Sequence, residues 1–286
     1  MFFLKILIYL LAVVPDPVVM LLARFANLFF YPGVRKNKWK FVKVAKVIPK
    51  LFPDRDEEWR RRVIRTNALH VMKLAGESLK SRFVKRRRGN RKCYIGEGRE
   101  HLESLLASRA GFVIITGHLG NFEYGAAYIA MNFRRVHALV AMSDTPGSRM
   151  MNWGREGHNV VLLESSRDPR VSARTLVQVI RLLNQGEIIF LVADQGGRGG
   201  EVEGTLFGKR LRFFGGPFVI GKRTRKPFLP LYCLRDEGNR IALNFDPPFF
   251  LDGEDPVADV GKVTAFFEKI MREHPEQYLW SKDRWK

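Results

Sequence analysis

"GFVIITGHLGNFEYGAAYIA", residues 111–130, begins as a short apolar, β-branched run and turns, across Gly117 and Gly120, into a helical pattern. The run at 111–116 is long enough for a buried strand and too short for a helix, and Asn121 stands where it can cap the helix that follows. A strand handing over to a helix is half of a βαβ unit, so the rest of the chain should repeat the theme. It does. Residues 136–142, 159–163, 187–194, 226–234 and 240–246 read as further strands. Helical patterns fall near 121–131, 148–157, 168–184 and 217–225, and a last one starts near Asp259 and stops at Pro275. The alternation predicts an α/β fold, a largely parallel mixed sheet flanked by helices, with its functional loops at the carboxyl ends of strands.

The opening stretch places His118 two residues after such a strand end and Glu123 five positions further on. In one continuous helix an offset of five would set the two about 140° apart, too far for a good hydrogen bond. With His118 in the loop and Glu123 on the first turn, the flanking glycines let the imidazole fold back over the carboxylate. Glu123 would then hold one ring N–H and leave the other nitrogen to take a proton from a hydroxyl. A helix start that merely carries both residues is the plainer alternative. The spacing is not that of a zinc-binding His-Glu-x-x-His helix, and no Gly-x-Ser-x-Gly nucleophile elbow occurs. Without a protein nucleophile, direct transfer to an acceptor hydroxyl is the favoured chemistry.

The chain has 286 residues, 46% of them hydrophobic, enough for a sizeable core. Its two cysteines, Cys93 and Cys233, belong to no paired motif, which argues against a disulfide framework or thiolate metal site. Formal net charge is +20, and residues 35–92 alone hold 21 basic against 5 acidic residues. So local an excess faces something acidic: nucleic acid, anionic lipid, or an acidic protein.

The amino end chooses among these. "MFFLKILIYLLAVVPDPVVMLLARFANLFFYPG", residues 1–33, carries only Lys5, Asp16 and Arg24 as charges and is broken by Pro15-Asp16-Pro17. It could be a kinked span, two short helices dipping into one leaflet, or a buried helix pair. Membrane attachment is preferred because "RKNKWKFVKVAKVIPK" follows. There Lys36, Lys40, Lys43, Lys46 and Lys50 recur at helical steps, with Phe41, Val44, Ala45 and Ile48 largely opposite. A basic amphipathic helix after an apolar segment suits an anionic membrane surface, and nucleic acid would leave the apolar end unexplained. The organisation expected is an apolar anchor over 1–34, a basic helical membrane-facing region over 35–92, and an α/β domain over 93–286. The glycine-rich "GGRGGEVEG" at 196–204 lacks the lysine and helix of a nucleotide cradle.

Taken together, "TGHLGNFE", "LVADQ", "FGKRLRFFGGP" and "PEQYLWSKDRWK" resemble, in that order and over nearly the whole chain, the lysophospholipid-acyltransferase-like superfamily. Within it the likeness is to the late lauroyl- and myristoyl-type acyltransferases of bacterial lipid A biosynthesis. The resemblance implies acyl transfer from a thioester, on acyl carrier protein or acyl-CoA, to a hydroxyl of a membrane glycolipid at the cytoplasmic face of the inner membrane. It implies His118 as general base, Glu123 as its partner, no cofactor and no metal. It points to Arg167, Arg170 or Arg174 for binding charged substrate groups, with Asp194 orienting an arginine or a substrate hydroxyl or capping a turn. Phe213, Phe214 and Phe218 are candidate walls of an acyl groove, or plain core. After the strand at 136–142 those enzymes carry an Arg-Pro step where this chain reads "AMSDTPGSR", so a related glycolipid acceptor stays open. A lysophospholipid acceptor, a nucleic-acid-binding module and a silent membrane scaffold are the competing readings.

Overall fold

The computed structural model describes residues 14–38, 43–80, 86–141, 145, 148, 149, 152, 155, 158–166, 168–195 and 201–280. Helix α1 spans Asp16–Arg35, α2 Val44–Leu51, α3 Glu57–Lys80 and α4 Arg86–Lys92. Strand β1 (Cys93–Ile95) and helix α5 (Arg99–Ala107) lead to β2 (Phe112–Thr116), α6 (Phe122–Asn132), β3 (Val136–Ala141) and β4 (Val160–Ser165). Then come α7 (Pro169–Asn184), β5 (Ile188–Val192), β6 (Glu201–Leu206) and β7 (Lys209–Phe214). Helix α8 (Gly216–Thr224), strands β8 (Phe228–Arg235) and β9 (Ile241–Phe245), and α9 (Pro256–Glu273) complete the order.

Seven strands form one sheet in the order β1-β9-β8-β2-β5-β3-β4, and only the β8–β9 pair runs antiparallel. The expected largely parallel α/β sheet is what forms. All five residues of β2 are buried, as a central parallel strand covered on both faces requires. One apolar cluster joins α2 and α3 to one face of the sheet through Val47, Ile48 and Val71 against Val113 and Ile115. The other face packs α6 through Phe122 and Ile129 against Ile114 and Phe190. Strand β1, helix α5 and the β6–β7 hairpin escaped the sequence reading. Strand β1 is three residues long, too short to show a period. The β6–β7 hairpin turns at Phe207 (φ 52°) and Gly208 (φ 68°), the paired left-handed conformations of a tight hairpin, and takes in the end of the glycine-rich stretch.

The expected continuous basic helix is corrected. Helix α1 ends at Arg35 with Lys36 at its cap, Asn37 turns left-handed (φ 51°), and a separate α2 begins after Lys43. Lys40 and Phe41 lie outside the described residues. Within α2 the amphipathic division does hold: Val44, Val47, Ile48 and Leu51 are buried, while Lys46 and Lys50 are exposed. Helix α1 is long and apolar enough, by length and composition, to cross a bilayer. It is two-sided. Val19, Met20, Ala23, Phe30 and Val34 are buried, whereas Leu21, Leu22, Phe25, Leu28 and Phe29 are exposed.

Candidate active site

Strands β2 and β5 lie side by side and end together, with Thr116 opposite Val192, so the residues just beyond each meet across the gap. Ala193 N–H donates to the Thr116 carbonyl at 2.9 Å, which extends the register one step past the strand. Gly117 sits so close to Asp194 that an added Cβ would lie 3.3 Å from the Asp194 Cβ. At Gly120 (φ +58°) an added Cβ would meet the Cys233 carbonyl oxygen at 1.5 Å, so glycine is obligatory there. The turn between these glycines is pinned from outside. Leu279 N–H donates to the His118 carbonyl at 2.8 Å and Gly120 N–H to the Gln277 carbonyl at 2.9 Å.

This construction brings His118 to Asp194, not to Glu123. The His118 Nδ1–Asp194 Oδ1 distance is 2.7 Å. Asp194 is fully buried, and its other oxygen accepts the Tyr278 hydroxyl at 2.5 Å. With a carboxylate on Nδ1, that nitrogen carries the proton and Nε2 is left as the basic nitrogen. The expected His118–Glu123 pairing is therefore corrected. Helix α6, capped by Asn121 accepting Tyr124 N–H at 3.0 Å, aims Glu123 at Arg155. Glu123 Oε1 accepts from Arg155 Nε at 2.9 Å and from Nη2 at 2.7 Å. The physical reason is register: β5 delivers a carboxylate directly beside the β2 terminus, so the imidazole has no need to fold back onto its own helix.

His118, Glu123 and Arg155 line a cavity of about 340 Å³. Its walls are Ala126 and Ala127 from α6, Ala138, Leu139 and Val140 from β3, Val160 and Leu162 from β4, and Phe190 from β5. Phe214 also lines it, while Phe213 is a core residue at 1% exposure and Phe218 packs partly buried against the core. A largely apolar cavity with a few polar groups in its lining is what a hydrocarbon chain with a reactive head would occupy. Arg155 has five N–H donors, of which these two bonds and one from Nη1 to Asn152 Oδ1 (3.1 Å) engage three.

Two of the arginines singled out from sequence sit elsewhere. Arg170 and Arg174 are exposed on α7 and line no part of this cavity, and Arg167 lies outside the described residues. Asp194 had been a candidate for orienting an arginine or a substrate hydroxyl, and it orients the histidine. Arg155 and Tyr278 were missed. Tyr278 stood in a quoted block with no role attached, and Arg155 lies in a predicted helix whose partner only the fold supplies.

The family model described as bacterial lipid A biosynthesis acyltransferase matches residues 1–286, the whole chain. A search of curated proteins returned no match.

Proposed function

The chain belongs to the bacterial lipid A biosynthesis acyltransferase family and is an acyltransferase, and from that premise we propose an O-acyl transfer with His118 as general base. The acyl donor is a thioester, on acyl carrier protein or acyl-CoA, whose chain lies in the trench between α6 and strands β3–β5. The acceptor is a hydroxyl of a lipid A precursor or related membrane glycolipid. The observation that carries this reading is the His118 Nδ1–Asp194 contact of 2.7 Å beside an apolar cavity.

Nε2 of His118 takes the proton as the acceptor oxygen bonds to the thioester carbonyl carbon. The carbonyl oxygen becomes an oxyanion, towards which Arg155, oriented by Glu123, supplies N–H donors. Collapse breaks the carbon–sulfur bond, and the leaving thiolate takes the proton back from Nε2. The buried Asp194 carboxylate, held in turn by Tyr278, stabilises the imidazolium between these two transfers. Helix α1, with its exposed apolar face, and the basic stretch at 35–92 suit attachment to an anionic membrane surface. That orientation, on the cytoplasmic side of the inner membrane, meets both an acidic carrier protein and a membrane-held acceptor. His118→Ala tests the proposal: turnover of acyl thioester should fall by about 10²–10⁴ while the protein stays folded. Full activity in that variant removes His118 from the mechanism.

A further inference from the structure

Bonded to the catalytic turn, and outside the cavity lining, lies a buried carboxylate that the chemistry above does not use. Glu77, on α3, has a side chain only 2% exposed, yet three groups from three parts of the chain converge on it. Arg235, at the end of β8, donates from Nη1 at 2.9 Å and from Nη2 at 2.5 Å. Lys92 Nζ, at the end of α4, stands 3.1 Å away. Asn121 Nδ2 donates at 2.7 Å. Burial alone would push the Glu77 carboxyl up, but the charge and hydrogen bonds of Arg235, with Lys92 and Asn121, outweigh it and hold it below the ordinary range.

Both ends of the catalytic turn hang from this carboxylate. Asn121 spends its amide on Glu77 and its carbonyl oxygen on the α6 cap, so Glu77 fixes where α6 starts and hence where Phe122 and Glu123 stand. The Phe122 ring packs edge-on to His118 at 5.4 Å. Arg235 spends its guanidinium on Glu77 and its backbone on Gln277, with N–H to Oε1 at 2.8 Å and Nε2 to the carbonyl at 3.0 Å. The Gln277 carbonyl holds Gly120, and the next residue, Tyr278, holds Asp194. Two short chains of bonds therefore lead from one buried carboxylate to both flanks of the imidazole.

We propose that Glu77 is a positioning residue for acyl transfer, fixing His118 and Glu123 through Asn121 on one side and Arg235–Gln277 on the other. It touches no substrate. The proposal rests on the reading of His118 as the base. A bare structural role for such a buried ion cluster would change stability; a positioning role changes kcat in protein that is still folded.

The test measures kcat, KM for the acyl thioester and thermal stability for Glu77→Gln, Asn121→Ser and His118→Ala in the full chain. Glu77→Gln leaves Arg235 and Lys92 short of charge and can fail to fold. Asn121→Ser then decides, because serine still caps α6 while the amide link to Glu77 is gone and Glu77 keeps both cations. The expected result for Asn121→Ser is kcat lower by about 10- to 100-fold with KM within about twofold, the loss persisting below its melting temperature. Wild-type kcat in folded Asn121→Ser overturns the proposal. So does a loss that falls on KM alone, or one that disappears on cooling. Retained activity in His118→Ala sinks the catalytic reading instead, so the two failures are told apart.

Discussion

Asp194→Asn separates the imidazole's charge partner from its mere neighbour. The substitution keeps the shape of a fully buried side chain and costs no space. An asparagine can still accept the His118 Nδ1 proton with its Oδ1 at the present 2.7 Å and turn its amide towards Tyr278, whose hydroxyl can accept instead of donate. Ring orientation and tautomer thus survive, and what disappears is the negative charge facing the imidazolium. Two unit charges about 4 Å apart interact by about 4 kcal/mol at an effective dielectric of about 20. Only part of that charge has developed in the transition state, so kcat should fall by about 10²–10³. The assay follows thiol release from an acyl thioester together with acylated lipid by mass spectrometry, alongside a melting curve. A folded Asp194→Asn protein within threefold of wild-type kcat would refute the reasoning, because a carboxylate this close and this buried cannot be electrostatically idle.

Three further outcomes are expected. Glu123→Gln and Arg155→Met should each lower kcat/KM, and the double variant should lose little more than the worse single one, since the two side chains act as one unit at 2.7 Å; additive losses in a double-mutant cycle would show that they act separately. Ala127→Leu fills part of the trench wall and should lower kcat/KM for long-chain thioesters at least about 10-fold while sparing short ones, checked across a donor series. His70, buried on α3 with neither ring nitrogen hydrogen-bonded among the described residues, has its pKa pushed down to about 4, first by burial and then by Arg235. The unfolded chain therefore binds that proton first, near pH 6.5, so stability is full above that point and declines between about pH 6.5 and 4, by about 3 kcal/mol. Glu77, with its pKa lowered, adds a loss of the same sign at still lower pH. Melting curves of His70→Leu against pH should be flatter in the upper window; an unchanged slope there would assign the effect to other groups.

What could be read from residues alone is what short-range chemistry dictates. The buried run of β2, the Asn121 cap of α6 and the hydrophobic strands 136–141 and 188–192 each declare themselves through local composition, and their alternation implies the parallel sheet. His118 was legible for the same reason, since it stands at a strand's carboxyl end between glycines. Its partner was not. Asp194 is 76 positions away and reaches His118 only because β5 pairs in parallel with β2 at one register, which no local pattern specifies. Arg155 meets Glu123 across 32 positions and Tyr278 meets Asp194 across 84. Glu77 belongs to the same class, an acid in a basic helix whose meaning depends on Arg235, 158 residues later. Sequence determined most of the elements of the sheet and the place of His118 at a strand end, because those follow from nearest neighbours. Which carboxylate serves that nitrogen was decided by strand register, a property of the whole sheet that appears only once distant segments are packed side by side.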